Sequence, residues 1–407
     1  MSVRDCRFVA VSLVLALCCA LPAGLLAFQS SVEVKEEGGA ATELTRVRFD
    51  EGGLSGLRIL ADSGDVRCEG WDETFIEVTV TKKSRHGSES AKDEFKEFTV
   101  ATDVFGGKAK VEVKKTVTFS HVEVEVSASV PRGCQIEAET GGGDIRAKGV
   151  QAEVRLDSGG GSITAGSVAG PLKIKTGGGD VDVSEVNGEV SVLTGGGSVA
   201  VKGCAGKVSC KSGGGDLSLS GCTSGLDAKT GGGDVQVQDC RGGIAIATGG
   251  GGIDVKRVKG QLSVKTGGGV IRVSDAEDIE ASSGGGHILL TGVEGSVDAK
   301  TGGGGIEIEA CGLKQLSEGH FRLRAGGGDV RVKIPGTLPV DVSACSKTRS
   351  LWGHPGEITC FFPLQKSSTS EKGWFGEQST TANGSSLGGG LSIEVETGEG
   401  DISIEKC

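Results

Sequence analysis

The sequence predicts an all-β protein: a parallel β-solenoid (β-helix) of 18-residue, two-strand rungs. A small strand and short-helix part precedes it, and a capping C-terminal segment follows. Three observations predict this. Thr140, Ser158, Thr176, Thr194, Ser212, Thr230, Thr248 and Thr266 each open a Gly-Gly-Gly triplet, each 18 residues after the last. A fixed period over so many units signals stacked repeats rather than an ordinary globular core. Between the triplets, apolar and polar residues alternate with a period of two, as in a strand buried on one face. Helix is unavailable, because three glycines per repeat would each cost about 1 kcal/mol in it.

Counting from the Thr or Ser as zero, position five is Ile145, Ile163, Val181, Val199, Leu217, Val235, Ile253 and Ile271, and position seven is mostly Val, Leu or Ile. A second alternating pair stands at fourteen and sixteen, such as Leu172/Ile174, Val190/Val192 and Ile244/Ile246. β-Branched residues dominate both, which suits a pleated, half-buried surface. Each unit therefore reads strand, turn, strand, turn. The triplet makes one corner, through positive φ and close backbone approach. The other corner carries a small apolar residue at ten and often Gly at twelve. Stacking at about 4.8 Å pairs every strand with its copies above and below, giving a rod of about 55–60 Å for roughly a dozen rungs. The beat continues at Ser283, one residue early, at Thr301 and at Ala325, and a last copy reads Thr397-Gly-Glu-Gly-Asp-Ile402. Position four reads Asp144, Ser162, Asp180, Ser198, Asp216. That alternation fits parallel stacking, where like charges directly opposite destabilise a sheet, although Asp234 breaks it.

The expected organisation is a signal peptide (1–27), an N-terminal β region (28–130), the triplet solenoid (131–335) and a C-terminal loop and cap (336–407). Arg4 and Arg7, the apolar run Val9 to Leu17 and small residues near Ala27 make the leader. An uncleaved membrane anchor is the alternative, since the run nearly reaches spanning length. In the β region, Ser63-Gly-Asp-Val66 reads as a degenerate first rung. Phe75–Val80, Lys110–Val117 and His121–Val130 read as strands, and Glu89–Phe98 as one short helix. Residues 345–388, rich in Ser, Gly and Thr, read as a mobile loop. The tail from Gly389 to Glu405 reads as a capping hairpin or final rung.

The net charge of −11, three Trp and no Tyr argue against nucleic acid as a partner, since neither a basic patch nor an aromatic platform appears. Of 13 cysteines, Cys6, Cys18 and Cys19 fall in the leader. Cys204, Cys222, Cys240 and Cys311 share position ten. They read as a column of small buried thiols, with a Cys204–Cys222 bond as the alternative. Cys345 and Cys360 are a disulfide candidate. Zinc lacks a Cys-x-x-Cys or His pairing at useful spacing.

These pieces together resemble the DUF4097 adhesin family of exported β-strand repeat proteins. The matching signals are Ser63-Gly-Asp-Val-Arg-Cys-Glu-Gly-Trp71, Val130-Pro-Arg-Gly133, the Gly-Gly-Gly-Asp-Ile/Val rungs, Val332-Lys-Ile-Pro335 and Gly398-Glu-Gly-Asp-Ile402. They span nearly the whole chain after the leader. The resemblance implies an exported, non-enzymatic β-solenoid, located in the periplasm, at the cell surface or outside the cell, and brings no binding residues to carry over. This chain departs from the family in its uniform triplets, its cysteines and its 345–388 segment.

Other chemistries find little support in these residues. No triplet is followed by Lys-Ser/Thr, so there is no P-loop, and position six is never the Gly of a dinucleotide fingerprint. Calcium-binding nonapeptides recur every nine residues, not every 18. An ice-binding Thr face fails on parity, because position zero points inward with fourteen and sixteen. Gly384-Ser-Ser-Leu-Gly388 copies a nucleophile-elbow pattern without strand–turn–helix around it. The histidines are scattered, and His287 reads as a solvated member of the Asp/Ser column. Asp182, Asp254 and Arg272 share position six, the pattern a polysaccharide-cleaving β-helix would need, diluted by Ala200, Ser218 and Leu289. Position seventeen carries Lys175, Lys211, Lys229, Lys265 and Lys300, either a solvated face that discourages edge pairing or a contact column for acidic polymers. No cofactor, metal or catalytic residue is expected. The expected function is a non-catalytic envelope or surface protein, adhesin or scaffold, with an envelope or extracellular polymer or protein as partner. The alternative is a carbohydrate-binding or polysaccharide-cleaving β-helix.

Overall fold

The computed structural model describes residues 28–37, 39–50, 53–312, 319–348, 355–370, 378–387 and 390–407; the leader at 1–27 lies outside them. The chain divides into two compact units, Met1–Ser198 and Val199–Cys407.

In the first unit the rungs stack in register in two parallel sheets. Ile145 lies between Val66 and Ile163, and Ile163 pairs on with Val181. In the other sheet Val154 lies between Ile136 and Leu172, and Leu172 pairs on with Val190. In the second unit Val199, Leu217, Val235, Ile253, Ile271, Ile288, Ile306, Val330 and Ile402 form one ladder. Val208, Leu226, Ile244, Leu262, Ile279, Val297, Phe321 and Ile393 form the other. Period two turns every one of these residues inward, and all are buried. The shortened repeat loses its residue at the second corner, so Ser283 still pairs with Thr266. The insertion before Ala325 lies at the same corner, and Ala325 still pairs with Thr301.

Each unit departs from chain order where its cap begins. The rung Gly56–Ala61 and Asp65–Trp71 lies between the later strands Lys108–Lys115 and Glu123–Pro131 on one side and Gln135–Thr140 and Ile145–Lys148 on the other. The chain leaves this rung, builds the cap and then passes back to resume the stack. The cap is antiparallel: Phe28–Glu37, Ala40–Phe49, Ile76–Ser84 and Glu123–Pro131 in one sheet, Phe98–Phe105 and Lys108–Lys115 in the other. A helix, Ser88–Phe95, joins the two. Its buried neighbour Lys82 donates from Nζ to the Phe95 and Phe98 carbonyls and pairs with Glu43 at 2.8 Å. A buried ammonium is tolerable only when so satisfied.

In the second unit the final rung, Leu391–Thr397 and Ile402–Lys406, inserts between His320–Ala325 and Val330–Ile334 on one side and Val340–Thr348 and Ile358–Cys360 on the other. Gln378–Ser386 and Gln365–Ser370 then add antiparallel strands. Among its described residues, the segment expected to be a mobile loop is therefore largely sheet. Its Ser and Thr residues, loop-like by composition, lie on strands that pair with each other. Caps of this kind end a stack whose strand edges would otherwise template aggregation.

The expected Cys345–Cys360 bond is not formed. Cys345 stands on Val340–Thr348 and Cys360 on Ile358–Cys360, in different sheets. The disulfide is Cys311–Cys407, with Cα atoms 5.8 Å apart. Cys311 is exposed, because Ala310 takes the buried corner position in its rung. Among the described residues no helix is long and apolar enough to cross a membrane.

Candidate functional surfaces

The repeated polar residues are used to hold rungs together. Within each unit, hydroxyls at position zero donate to the carbonyl of the third glycine one rung earlier, as in Thr176 to Gly161 at 2.8 Å and Thr248 to Gly233 at 2.8 Å. The same oxygen accepts the amide of the third glycine in its own rung, Gly179 and Gly251 at 3.2 Å. A buried hydroxyl so satisfied adds stability, whereas an orphaned one would cost it.

The position-four column does the same at the next residue. Asp144 Oδ1 accepts the Ser162 amide and Asp180 Oδ1 the Ser198 amide. Asp216, Asp234, Asp329 and Asp401 accept from Asp234, Gly252, Asp401 and Glu357 respectively. His287 takes this role through Nδ1, which accepts the Gly305 amide at 3.0 Å. His287 is exposed, as expected of a solvated member of this column, and its ring also replaces a carboxylate in the ladder. Charge was the readable signal in this column; its amide partners emerge only once rungs are stacked.

The glycine triplet also works differently from expectation. Positive φ is absent from the triplets. A Cβ at the first or third glycine would meet the previous rung's carbonyl oxygen, at 2.2 Å for Gly231 and 2.3 Å for Gly233, whereas one at Gly232 meets nothing within 4 Å. The left-handed residues stand at position nine instead: Ser167, Glu185, Asp239, Arg257 and Asp275 all have φ between 50° and 58°. Arg257 spans from Nε and Nη2 to both oxygens of Asp239, at 2.7 and 3.0 Å. Its guanidinium holds the Asp239 carboxyl below the usual range.

The five lysines are all exposed, but their column is interrupted. Lys175 pairs in register with Leu193, Lys229 with Ala247, and Lys265 and Lys300 with Ser282. Only Lys211 and Lys229 adjoin. Lys229 pairs with Asp227 at 3.0 Å and Lys265 with Glu280 at 2.9 Å. Of the position-six acids, Asp254 pairs with Lys256 at 2.9 Å and neighbours Arg272, while Asp182 lies opposite Thr164.

Cys204, Cys222 and Cys240 are buried at the second corner of successive rungs. The Cys222 amide donates to Cys240 Sγ at 3.4 Å. Hydrogen bonds from Cys222 draw the Cys240 thiol down to about 7, and the partner thiol rises in consequence. Burial pushes Cys210 up to about 12. Among the described residues no group of three or more His, Cys, Asp or Glu could hold a metal ion.

Two clefts open on the outward strand faces. One, of about 540 Å³, lies in the first unit across Ser127, Arg67, Arg146, Thr164 and Ser184. The other, of about 490 Å³, lies in the second unit around Arg272, His287, Leu289 and Arg331. Sequence reading missed both: the first joins a cap strand to rungs far from it in the chain, and the second appears only when the side chains of successive rungs are placed side by side.

Stacked rungs, hydroxyl and carboxylate ladders and antiparallel caps define a parallel β-solenoid repeat protein. The chain belongs to the Toastrack DUF4097 family, whose profile matches residues 54–242 and again 221–405. No curated protein matches it in sequence. Among solved structures it is similar to a "putative cell adhesion protein" from Clostridium sporogenes, at 10% identity over 94% of this chain and 100% of that one, with a TM-score of 0.17. It is also similar to a "putative lipid binding protein" from Parabacteroides distasonis, at 14% identity over 67% of this chain and 94% of that one, with a TM-score of 0.25. Similarity at those scores bears on neither ligand nor partner.

Proposed function

We propose that the chain is an exported, non-catalytic solenoid of the cell envelope or cell surface that presents its outward strand faces for adhesion or scaffold assembly. The observation that carries this reading is the commitment of its repeated polar side chains. The hydroxyls at position zero and the acids at position four spend their hydrogen bonds on rung-to-rung contacts. What remains for recognition is the outward residues at positions six, eight, fifteen and seventeen. The leader-like residues 1–27 support export, and export permits the Cys311–Cys407 bond.

Fractionation of the producing cells tests location; the chain should be found outside the cytoplasm, and cytoplasmic retention would refute the reading. Affinity capture with intact envelope material tests contact. The second reading, a polysaccharide-cleaving β-helix, draws on Asp182, Asp254 and Arg272 at position six. It predicts reducing-sugar release that Asp182→Lys or Asp254→Lys abolishes; the adhesin or scaffold reading predicts no release.

A further inference from the structure

We propose that the cleft of the first unit is a binding site for an acidic polysaccharide, read through the carboxylates of its uronate-type sugars. This inference rests on the envelope reading above and names the partner's chemistry.

The cleft crosses five consecutive strands, Glu123–Pro131, Asp65–Trp71, Ile145–Lys148, Ile163–Val168 and Val181–Val186, all paired in register. At the spacing of paired strands it runs roughly 19 Å across the rungs. It exists because small residues flank the long side chains of Arg67, Glu69, Arg146 and Lys148 within the same two columns. Ser127 and Ser129 begin it, Gly166 and Ser184 end it, and their side chains leave a trough of about 540 Å³. Ser167 and Glu185, both left-handed, turn the chain at one edge.

Three cations face this trough: Arg67, Arg146 and Lys148. Arg67 is engaged by Glu125 at 2.8 Å, and Arg146 stands 3.6 Å from Asp144, the residue just before its strand. Lys148 enters neither pair and is exposed. Arg146 and Lys148 are two residues apart on one strand, so both project outward from the same rung. A guanidinium fork and an ammonium on one face suit a carboxylate flanked by further acceptors.

The remaining lining separates a sugar acid from a plain polyanion. Glu69 and Glu185 also line the cleft and would repel a chain of bare carboxylates. Sugar hydroxyls would instead donate to them, and would exchange hydrogen bonds with Ser127, Ser129 and Thr164. Aromatic side chains are absent from the lining, which disfavours single-stranded nucleic acid, whose bases need stacking platforms.

The test is equilibrium binding of the full chain to polygalacturonate fragments. Polygalacturonate should bind, and its fully methyl-esterified form should bind at least about tenfold more weakly, since esterification removes the charge that the cations read. Arg146→Glu with Lys148→Glu should weaken binding by a similar factor, and the milder Arg146→Gln with Lys148→Gln by less. Lys211→Glu with Lys229→Glu in the second unit should leave it unchanged. These side chains point outward, so the thermal midpoint reports whether each variant is folded. Three results would each overturn the site: no binding of polygalacturonate, equal binding of its ester, or undiminished binding by folded Arg146/Lys148 variants. Polyglutamate binding as tightly would overturn the sugar assignment. If envelope material captures both the wild type and the Arg146/Lys148 variants equally, this site fails while the envelope reading stands. Cytoplasmic retention removes that reading without touching the binding result.

Discussion

At the scale of single residues, the triplet separates two kinds of glycine that look identical in sequence. Gly233 packs its Cα against the Gly215 carbonyl, where a Cβ would stand 2.3 Å from oxygen, while Gly232 faces open space. Gly233→Ala should therefore destabilise the fold on the order of 3 kcal/mol, by forcing backbone apart. Gly232→Ala should change stability by about 0.5 kcal/mol or less, with stabilisation favoured because the unfolded chain loses freedom. Paired denaturant titrations would check this; equal losses would refute the packing argument. Ser63 and Glu399, which occupy the middle position in the rungs next to the caps, already show that a side chain fits there. Titration also belongs at this scale. Asp239, Glu280 and Glu396 are held below their ordinary values, chiefly by hydrogen bonds from Arg257, Lys265 and Lys347. A depressed carboxylate contributes stability that is fully present above its unfolded value and lost as pH falls through the folded one. With ordinary values of 3.8 and 4.5, the melting temperature should hold from neutrality to about pH 5 and fall below it. In Arg257→Gln that acid-side fall should be shallower; an identical profile would show that the pair contributes nothing.

At the scale of the element, each strand depends on its neighbours for half its environment. Val235 is fully buried between Leu217 and Ile253. Val235→Asp should cost several kcal/mol, on the order of 4, because an unpaired charge would enter an apolar ladder. A wild-type melting curve would refute its inward placement. The exposed neighbour Gln236 is the control: Gln236→Lys puts a charge on the outward face, opposite Asp254, and should melt no lower than the wild type. Period two and the 18-residue beat made the inner residues of the regular strands legible, because side-chain direction in a strand follows local geometry alone. The Ser/Thr-rich strands after Val340 were not legible. Their composition matches a loop, and only pairing of Gln378–Ser386 with Val340–Thr348 and Gln365–Ser370 makes them sheet. The cationic cleft was hidden for a similar reason. Ser127 and Arg67 are distant in the chain and become neighbours only when the cap strand Glu123–Pro131 lies against the first rung.

At the scale of the whole chain, the disulfide clamps an inserted terminus. Leu391–Lys406 lies between two earlier segments, and Cys407 bonds to Cys311, 96 residues back. Closing so long a loop limits the unfolded chain by up to about 4–5 kcal/mol in the entropic account. Cys311→Ser should lower the melting temperature and expose the terminal rung to protease before the repeats of the second unit. Unchanged proteolysis would show that pairing alone retains that rung. By itself the sequence determined the repeat period, the inward and outward faces, the parallel stacking of like positions and the family. All of these follow from local periodicity, which each repeat states again. Tertiary structure alone decided that the rungs at 56–71 and 391–406 stack out of chain order, that Cys311 is bridged to Cys407, and that Asp144 and His287 serve backbone amides one rung away. Those choices depend on which segments meet in space, and contacts between distant segments leave no periodic mark on the chain that makes them.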